Sequence, residues 1–196
     1  TADTPNGKKI TIILEEIGCD FKVTKIDIFK DEQFKPAFAF ALKAHDAEIE
    51  AIANNTEKPT FKNTVLALET SGEDLNRATS IFYNLTSSNT NPTLQAIEEE
   101  YAPIFSAHTD KLYLNSKIYK RIKSINITTL KGEDKKLVQY YLQQFELAGA
   151  NLTDANKEKM KAINSELASL STTFGNKLLT ARKNGAVLFT DAKELD

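Results

Sequence analysis

The chain has 196 residues, of which 41% are hydrophobic and 27% charged, and its formal net charge is −2. This composition is typical of soluble globular proteins and excludes the disordered, fibrous and disulfide-stapled classes. Lysine and arginine total 25 against 27 acidic residues, spread along the chain, so we expect no nucleic-acid partner. No apolar stretch approaches the ~20 residues of a membrane span, and no signal peptide is recognisable. We expect a cytoplasmic protein without a membrane partner.

The first thirty residues and the rest of the chain follow different periodicities. Residues 8–18 have helical spacing and end at Gly18, and residues 21–28 alternate at period two. This pattern predicts a helix followed by a strand. From Phe34 onward the apolar period is 3.6, and the chain has only seven Gly and five Pro, so we expect a mainly α fold.

Start and stop signals divide the region after Phe34 into helices. The first predicted helix runs through Ile52 and ends near residues 54–56. Thr60 is placed to cap the next helix, and residues 71–72 (Ser-Gly) interrupt the pattern before another helix.

Three further helical stretches follow. Asn91 and Pro92 form a start signal, because Asn caps a helix and Pro suits its first position. Amphipathic stretches over residues 112–122 and 137–147 look core-facing.

The longest predicted helix opens at Thr153 and Asp154. Its apolar side chains recur every three or four residues and predict packing against neighbouring helices. They are Met160, Ile163, Leu167, Leu170, Phe174 and Leu178. Residues 186–190 then form a short β-prone run without obvious strand partners.

The two histidines are the first candidates for chemistry. His45 lies beside Asp46, but neighbouring residues on a helix point about 100° apart, so we interpret His45 as a histidine at the rim of the core. His108 stands between Ser106 and Asp110, and catalytic triads are assembled from separated segments, so we interpret His108 as a surface residue near a helix end.

The remaining candidates also have structural explanations. Cys19 precedes an apolar strand pattern and is expected to be a buried, inert thiol. Residues 98–100 (Glu-Glu-Glu) are expected to form a solvated helix face. The sequence has no H-E-x-x-H pair, so we expect no catalytic residue and no metal ligand in this chain.

Ten short segments resemble, in order and spacing, the N-terminal helical region of thimet-oligopeptidase-type zinc metallopeptidases, in the bacterial peptidyl-dipeptidase branch. They are residues 34–38, 51–55, 59–64, 66–69, 71–73, 82–86, 89–91, 113–115, 147–152 and 167–174. The resemblance implies release of C-terminal dipeptides, or cleavage of short oligopeptides, by one zinc ion in a channel between two helical halves. It also implies that the zinc ligands belong to the later half. A chain without that half is expected to be an inactive fragment that meets peptide substrates only through the missing part.

Residues 1–36 resemble instead the thioredoxin-like N-terminal domain of glutathione transferases of the yeast-prion-related bacterial type. The resemblance rests on residues 4–9 (TPNGKK), 14–18 (LEEIG) and 31–36 (DEQFKP). It implies that Thr4 and Asn6 are the positions that contact glutathione, at the start of a helix whose N-terminus suits an anion. The other elements of that fold are missing, so we do not expect this fragment to bind glutathione.

The two resemblances meet at residues 32–38 (EQFKPAF), which both families share almost identically. We therefore expect a chimera with a glutathione-transferase-like fragment at 1–33 and an incomplete metallopeptidase helical domain at 34–196. Recombination or misjoined sequence reads would produce such a join, whereas an evolved fusion would leave unpaired strand edges. The alternatives to a peptidase portion are a glutathione-dependent enzyme and a non-catalytic helical interaction module.

Overall fold

The computed structural model describes residues 30–186, and every regular element in that range is helical. This confirms the predicted mainly α fold. The α-helices of this range are α1 (Phe34–Ala53), α2 (Ala67–Glu69), α3 (Glu73–Asn89), α4 (Pro92–Tyr113), α5 (Ser116–Lys123), α6 (Gly132–Ala148) and α7 (Asp154–Asn184). The shorter elements are 3₁₀ turns at Asp31–Gln33 and Ile127–Thr129, and a π-helical segment at Phe61–Leu66 that leads into α2.

Several predictions fall on parts of the chain that the structure does not describe. They concern the helix at 8–18, the strand at 21–28, Thr4, Asn6, Cys19, and the β-prone run after residue 186.

The predicted helix starts are confirmed by side-chain caps. The Thr60 hydroxyl accepts a hydrogen bond from the Asn63 backbone N–H at 3.1 Å, and the Asn63 side chain accepts one from the Thr60 N–H at 2.8 Å. The Asn91 side chain accepts from the Leu94 N–H at 3.0 Å, with Pro92 as the first residue of α4. These caps satisfy N–H groups that a helix start otherwise leaves without partners.

The stretch predicted over residues 112–122 is interrupted. α4 continues through Pro103 to Tyr113, and α5 begins at Ser116. Between them Asn115 caps α5, accepting hydrogen bonds from the backbone N–H groups of Lys117 and Ile118 at 3.0 and 3.2 Å. Apolar spacing alone did not reveal this break, because apolar residues on both sides of it are buried or half-buried.

The described residues fall into two compact units. The first unit contains residues 30–45 and 72–94, and its core is aromatic. The rings of Phe34, Phe38 and Phe82 are at most 1% exposed, and their centroids lie 5.1–5.8 Å apart in edge-on and tilted arrangements.

The second unit contains residues 46–71 and 95–186. Its core is built by the later part of α1, the Phe61–Leu66 segment with α2, α5 and α6. The fully buried side chains of this core are Ile49, Val65, Ile118, Ile122, Val138 and Phe145.

α7 is a helix as predicted, but its apolar stripe does not pack as predicted. Leu167, Leu170 and Phe174 are 59–67% exposed. None of the helices between residues 30 and 186 combines the length and apolar character needed to cross a membrane.

Candidate functional site

A cluster of charged side chains joins α1 to α4 in the second unit. The Asp46 carboxylate lies 3.1 Å from Nδ1 of His108 and 3.0 Å from Nζ of Lys111. Lys111 also lies 3.4 Å from the Glu50 carboxylate, one helical turn further along α1. Two carboxylates on one helix therefore face a histidine and a lysine on the other.

The environment of the cluster shifts the pKa values of both bases. The His108 side chain is only 10% exposed, and this burial lowers its pKa, although the nearby Asp46 charge opposes the shift. The hydrogen bond to Asp46 is the main reason that the pKa of Lys111 is raised. The native state therefore favours neutral imidazole beside a charged ammonium group.

The structure corrects the interpretation of His108 as a surface residue near a helix end. His108 lies within α4 with a side chain that is largely buried, and its partner Asp46 stands 62 positions earlier in the chain. The neighbouring Asp110 instead accepts a 2.6 Å hydrogen bond from the Asn164 amide. Ser106, His108 and Asp110 consequently do not form a triad.

His45 lies beside a glycine that is distant in sequence. Asp46 contacts His108, and the His45 ring lies against the backbone of Gly72, where an added Cβ would come within 2.8 Å of the ring. This arrangement agrees with a structural role for His45.

A cleft of about 290 Å³ adjoins the cluster, at the end of α4 and the starts of α5 and α7. Lys157, 5% exposed, donates to the Leu114 carbonyl at 3.0 Å and to the Ser116 hydroxyl. Asp110 lines the same cleft, and its Oδ2 is buried without a hydrogen-bond partner. Both of these charged groups are buried: the ammonium group of Lys157 is held by two acceptors, and the second carboxylate oxygen of Asp110 is shielded from water.

Arg121 is a buried functional group that the sequence analysis missed. Its guanidinium donates to the carbonyls of Asn55 and Glu57 and to side-chain oxygens of Asn63 and Thr64. The residue is 8% exposed. It fixes the loop between α1 and the Phe61–Leu66 segment. The sequence could have indicated this residue, because it is an arginine within the apolar pattern of α5.

The glutamates at 98–100 occupy the first half of α4. Glu99 and Glu100 are exposed as predicted, and Glu99 accepts a 2.9 Å hydrogen bond from Asn176. Glu98 is half-buried, and burial followed by repulsion from Glu99 raises its pKa.

The residues that the structure describes do not fit a zinc centre. Between residues 30 and 186, no three His, Cys, Asp or Glu side chains are grouped to hold a metal ion. The only two histidines of the sequence are His45 and His108, whose separation does not match an H-E-x-x-H helix turn.

No protein-family model matches the chain. Dipeptidyl carboxypeptidase of Escherichia coli is 37% identical to it over 173 residues, which is 86% of this chain and 25% of the relative. Dipeptidyl carboxypeptidase of Salmonella typhimurium is 35% identical over 184 residues, which is 92% of this chain and 27% of the relative. The chain spans about a quarter of the length of these curated relatives.

A shorter likeness involves another class of protein. The disulfide-bond oxidoreductase YfcG of Escherichia coli is 51% identical over 37 residues, which is 19% of this chain and 17% of that protein. The match is about as long as the N-terminal segment that resembles glutathione transferases, and it gives that resemblance weak support. The matches to dipeptidyl carboxypeptidase cover most of the chain, which is therefore homologous to a segment of the peptidases of the thimet-oligopeptidase family.

Proposed function

We propose that this chain is the N-terminal helical portion of a zinc-dependent oligopeptidase or peptidyl-dipeptidase and is inactive in peptide hydrolysis on its own. The observation that carries the proposal is the 37% identity to dipeptidyl carboxypeptidase over 173 residues. The function of the portion is to complete the fold around a peptide-binding channel, and its substrates are short peptides. A cytoplasmic location is part of the same proposal.

The zinc ion belongs, in this proposal, to residues outside the 196-residue chain. Two histidines without an H-E-x-x-H pattern do not supply the usual ligand set of a zinc peptidase. The zinc would activate water for peptide-bond attack when bound elsewhere. The residues of the present chain would hold helices in place and shape the surroundings of the peptide.

The proposal is tested with a hybrid enzyme. This chain replaces the matched 173-residue segment of the Escherichia coli dipeptidyl carboxypeptidase, and release of dipeptides from short peptides is measured with and without a chelator. We expect chelator-sensitive hydrolysis by the hybrid and none by the 196-residue chain. Hydrolysis by the isolated chain that a chelator abolishes would overturn the assignment of zinc to another segment.

A control shows whether the Escherichia coli enzyme needs the matched segment for hydrolysis or works without it. The Escherichia coli enzyme with its matched segment deleted should be inactive or insoluble, because the helical portion completes its fold. If the deleted enzyme is as active as the hybrid, the matched segment has no function in hydrolysis and the proposal fails.

We also propose that the start of the chain derives from a different family. Since the match over 92% of the chain to dipeptidyl carboxypeptidase must include residues 17–33, the two likenesses overlap there instead of meeting at a sharp boundary near residue 33. The 51% identity to YfcG over 37 residues supports this second origin. A single-molecule DNA read spanning the codons for residues 20–45 tests it. A read that contains the join establishes a genuine fusion, whereas its absence from every molecule shows two sequences joined in error.

A further inference from the structure

The long helix α7 carries its apolar residues on the side that faces away from the rest of the second unit. The stripe recurs at intervals of three or four residues, and each member is 46–67% exposed. Its members are Ile163, Leu167, Leu170, Phe174 and Leu178.

The opposite side of α7 is small and polar, although it is the half-buried side. Asn164 donates to Asp110 at 2.6 Å and Asn176 donates to Glu99 at 2.9 Å, so polar side chains attach the helix to α4. The other half-buried positions on this side are Ser165, Ala168, Ser169, Thr172 and Thr173.

This orientation is the reverse of that in an ordinary surface helix. Amphipathic helices turn the apolar stripe toward a core and leave polar residues in water. α6 follows that rule, with Val138, Tyr141 and Phe145 buried. The α7 stripe spans 16 residues, or about 24 Å of helix, and Glu166 and Lys177 are the only charged residues between Ile163 and Leu178. A contiguous apolar surface of this kind is characteristic of an interface.

The helix belongs to the part of the chain that matches the peptidases. A continuous match over 92% of the chain includes residues 163–178, wherever the unmatched residues lie. The stripe therefore lies in a segment that matches proteins about four times longer than the match itself.

We propose that the exposed stripe of α7 is the docking surface for the remaining, catalytic portion of the family's polypeptide. The inference rests on the proposed function and assigns the stripe its partner: helices of the missing three quarters, presenting a complementary apolar face. Side chains of this size and exposure are excluded from water only when such a face covers them.

Thiol accessibility tests the proposal because Cys19 is the only cysteine of the chain. In a Cys19→Ser background, single cysteines are introduced at Leu170, at the centre of the stripe, and at Ser171, which is exposed beside it and whose replacement keeps every apolar residue of the stripe. The rate of reaction with a maleimide is measured in the isolated chain and in the hybrid with the Escherichia coli enzyme.

Two matched variants calibrate the rates. Arg77→Cys reports an open position, since that side chain is 62% exposed, and Ala78→Cys reports a buried one, at 4% exposure. We expect both stripe cysteines to react at the open rate in the isolated chain and about tenfold or more slowly in the hybrid, by analogy with the protection of buried groups. Arg77→Cys should react equally in both proteins.

Each outcome has a defined meaning. Open stripe cysteines in a hybrid that protects Ala78→Cys overturn the docking surface, and peptide hydrolysis by that hybrid would leave the proposed function standing. Protected cysteines in an inactive hybrid support the docking surface and refute the proposed function. Slow reaction of the stripe cysteines already in the isolated chain overturns the inference. If dilution then raises the reaction rate, a second copy of the chain covers the stripe. If removal of residues 1–29 raises the rate, the chain's own start covers it.

Discussion

We predict that Arg121→Met lowers the free energy of unfolding of the second unit by about 3 kcal/mol. Arg121 bonds the half-buried carbonyl of Asn55, the carbonyl of Glu57 at 3.2 Å, and the side-chain oxygens of Asn63 and Thr64 at 3.3 Å each. Methionine retains much of the apolar stem but removes all four of these hydrogen bonds.

The expected loss of about 3 kcal/mol follows from the hydrogen bonds that Arg121→Met removes. The bond to the carbonyl of half-buried Asn55 contributes about 2 kcal/mol, because the donor is charged. The other three bonds together contribute about 2 kcal/mol. Nε of Arg121 is buried without a partner, and its removal returns about 1 kcal/mol. The Glu57 residue is exposed, so water replaces that bond at little penalty.

Urea unfolding followed by helical circular dichroism measures the change, because the chain has no tryptophan to report by fluorescence. Lys120→Met, at an exposed position one residue earlier on α5, is the matched control and should change stability by less than about 0.5 kcal/mol. Arg121→Lys should fall between the two, since one ammonium group does not reach four acceptors. If Arg121→Met and Lys120→Met have equal free energies of unfolding, Arg121 does not stabilise the loop between α1 and the Phe61–Leu66 segment, and the reasoning is refuted.

Three further predictions concern pH, backbone conformation and ligand binding. Because burial lowers the pKa of His108 below 6.5, the unfolded chain binds this proton at a higher pH than the folded chain does. The urea midpoint should therefore decrease between about pH 7 and pH 5, and it should decrease less in His108→Gln. Gly132→Ala, at a φ of +54° in open space, should cost about 1 kcal/mol, whereas Gly72→Ala, at +71° with the His45 ring 2.8 Å from the new Cβ, should cost about 1 kcal/mol more in the same urea titration. The chain should pass through glutathione-agarose without retention, and retention that Asn6→Ala abolishes would instead favour the glutathione-dependent alternative.

The sequence predicted helix starts well where a capping side chain binds a backbone N–H group within one helical turn of it. Thr60 and Asn91 cap their helices through residues three positions away, so the chemistry of the start is contained in the sequence around it. The break at Asn115 uses the same chemistry but lies inside a continuous apolar pattern. At Asn115 the apolar periodicity predicted an uninterrupted helical stretch, whereas the capping side chain starts a new helix.

The candidate site was not predictable in the same way. Burial lowers the pKa of His108, and its partner Asp46 on α1 was considered only in relation to the adjacent His45. Arg121 binds residues 57 to 66 positions away. A single sequence contains the donors and acceptors but not the fold that pairs them, so these interactions emerge only with the tertiary structure.

The α7 stripe shows a different limit, because its residues were identified correctly and their environment was not. Periodicity determines that Leu167, Leu170 and Phe174 share one side of a helix, but it does not determine what covers that side. In the second unit, Asn164 and Asn176 attach the opposite side of α7 to α4. The polar side of α7 binds its own unit, and among the described residues nothing covers the apolar side, which is why we propose a docking surface there. The match to about a quarter of a longer peptidase supports the proposed partner, and the accessibility of residues 170 and 171 tests the proposal directly.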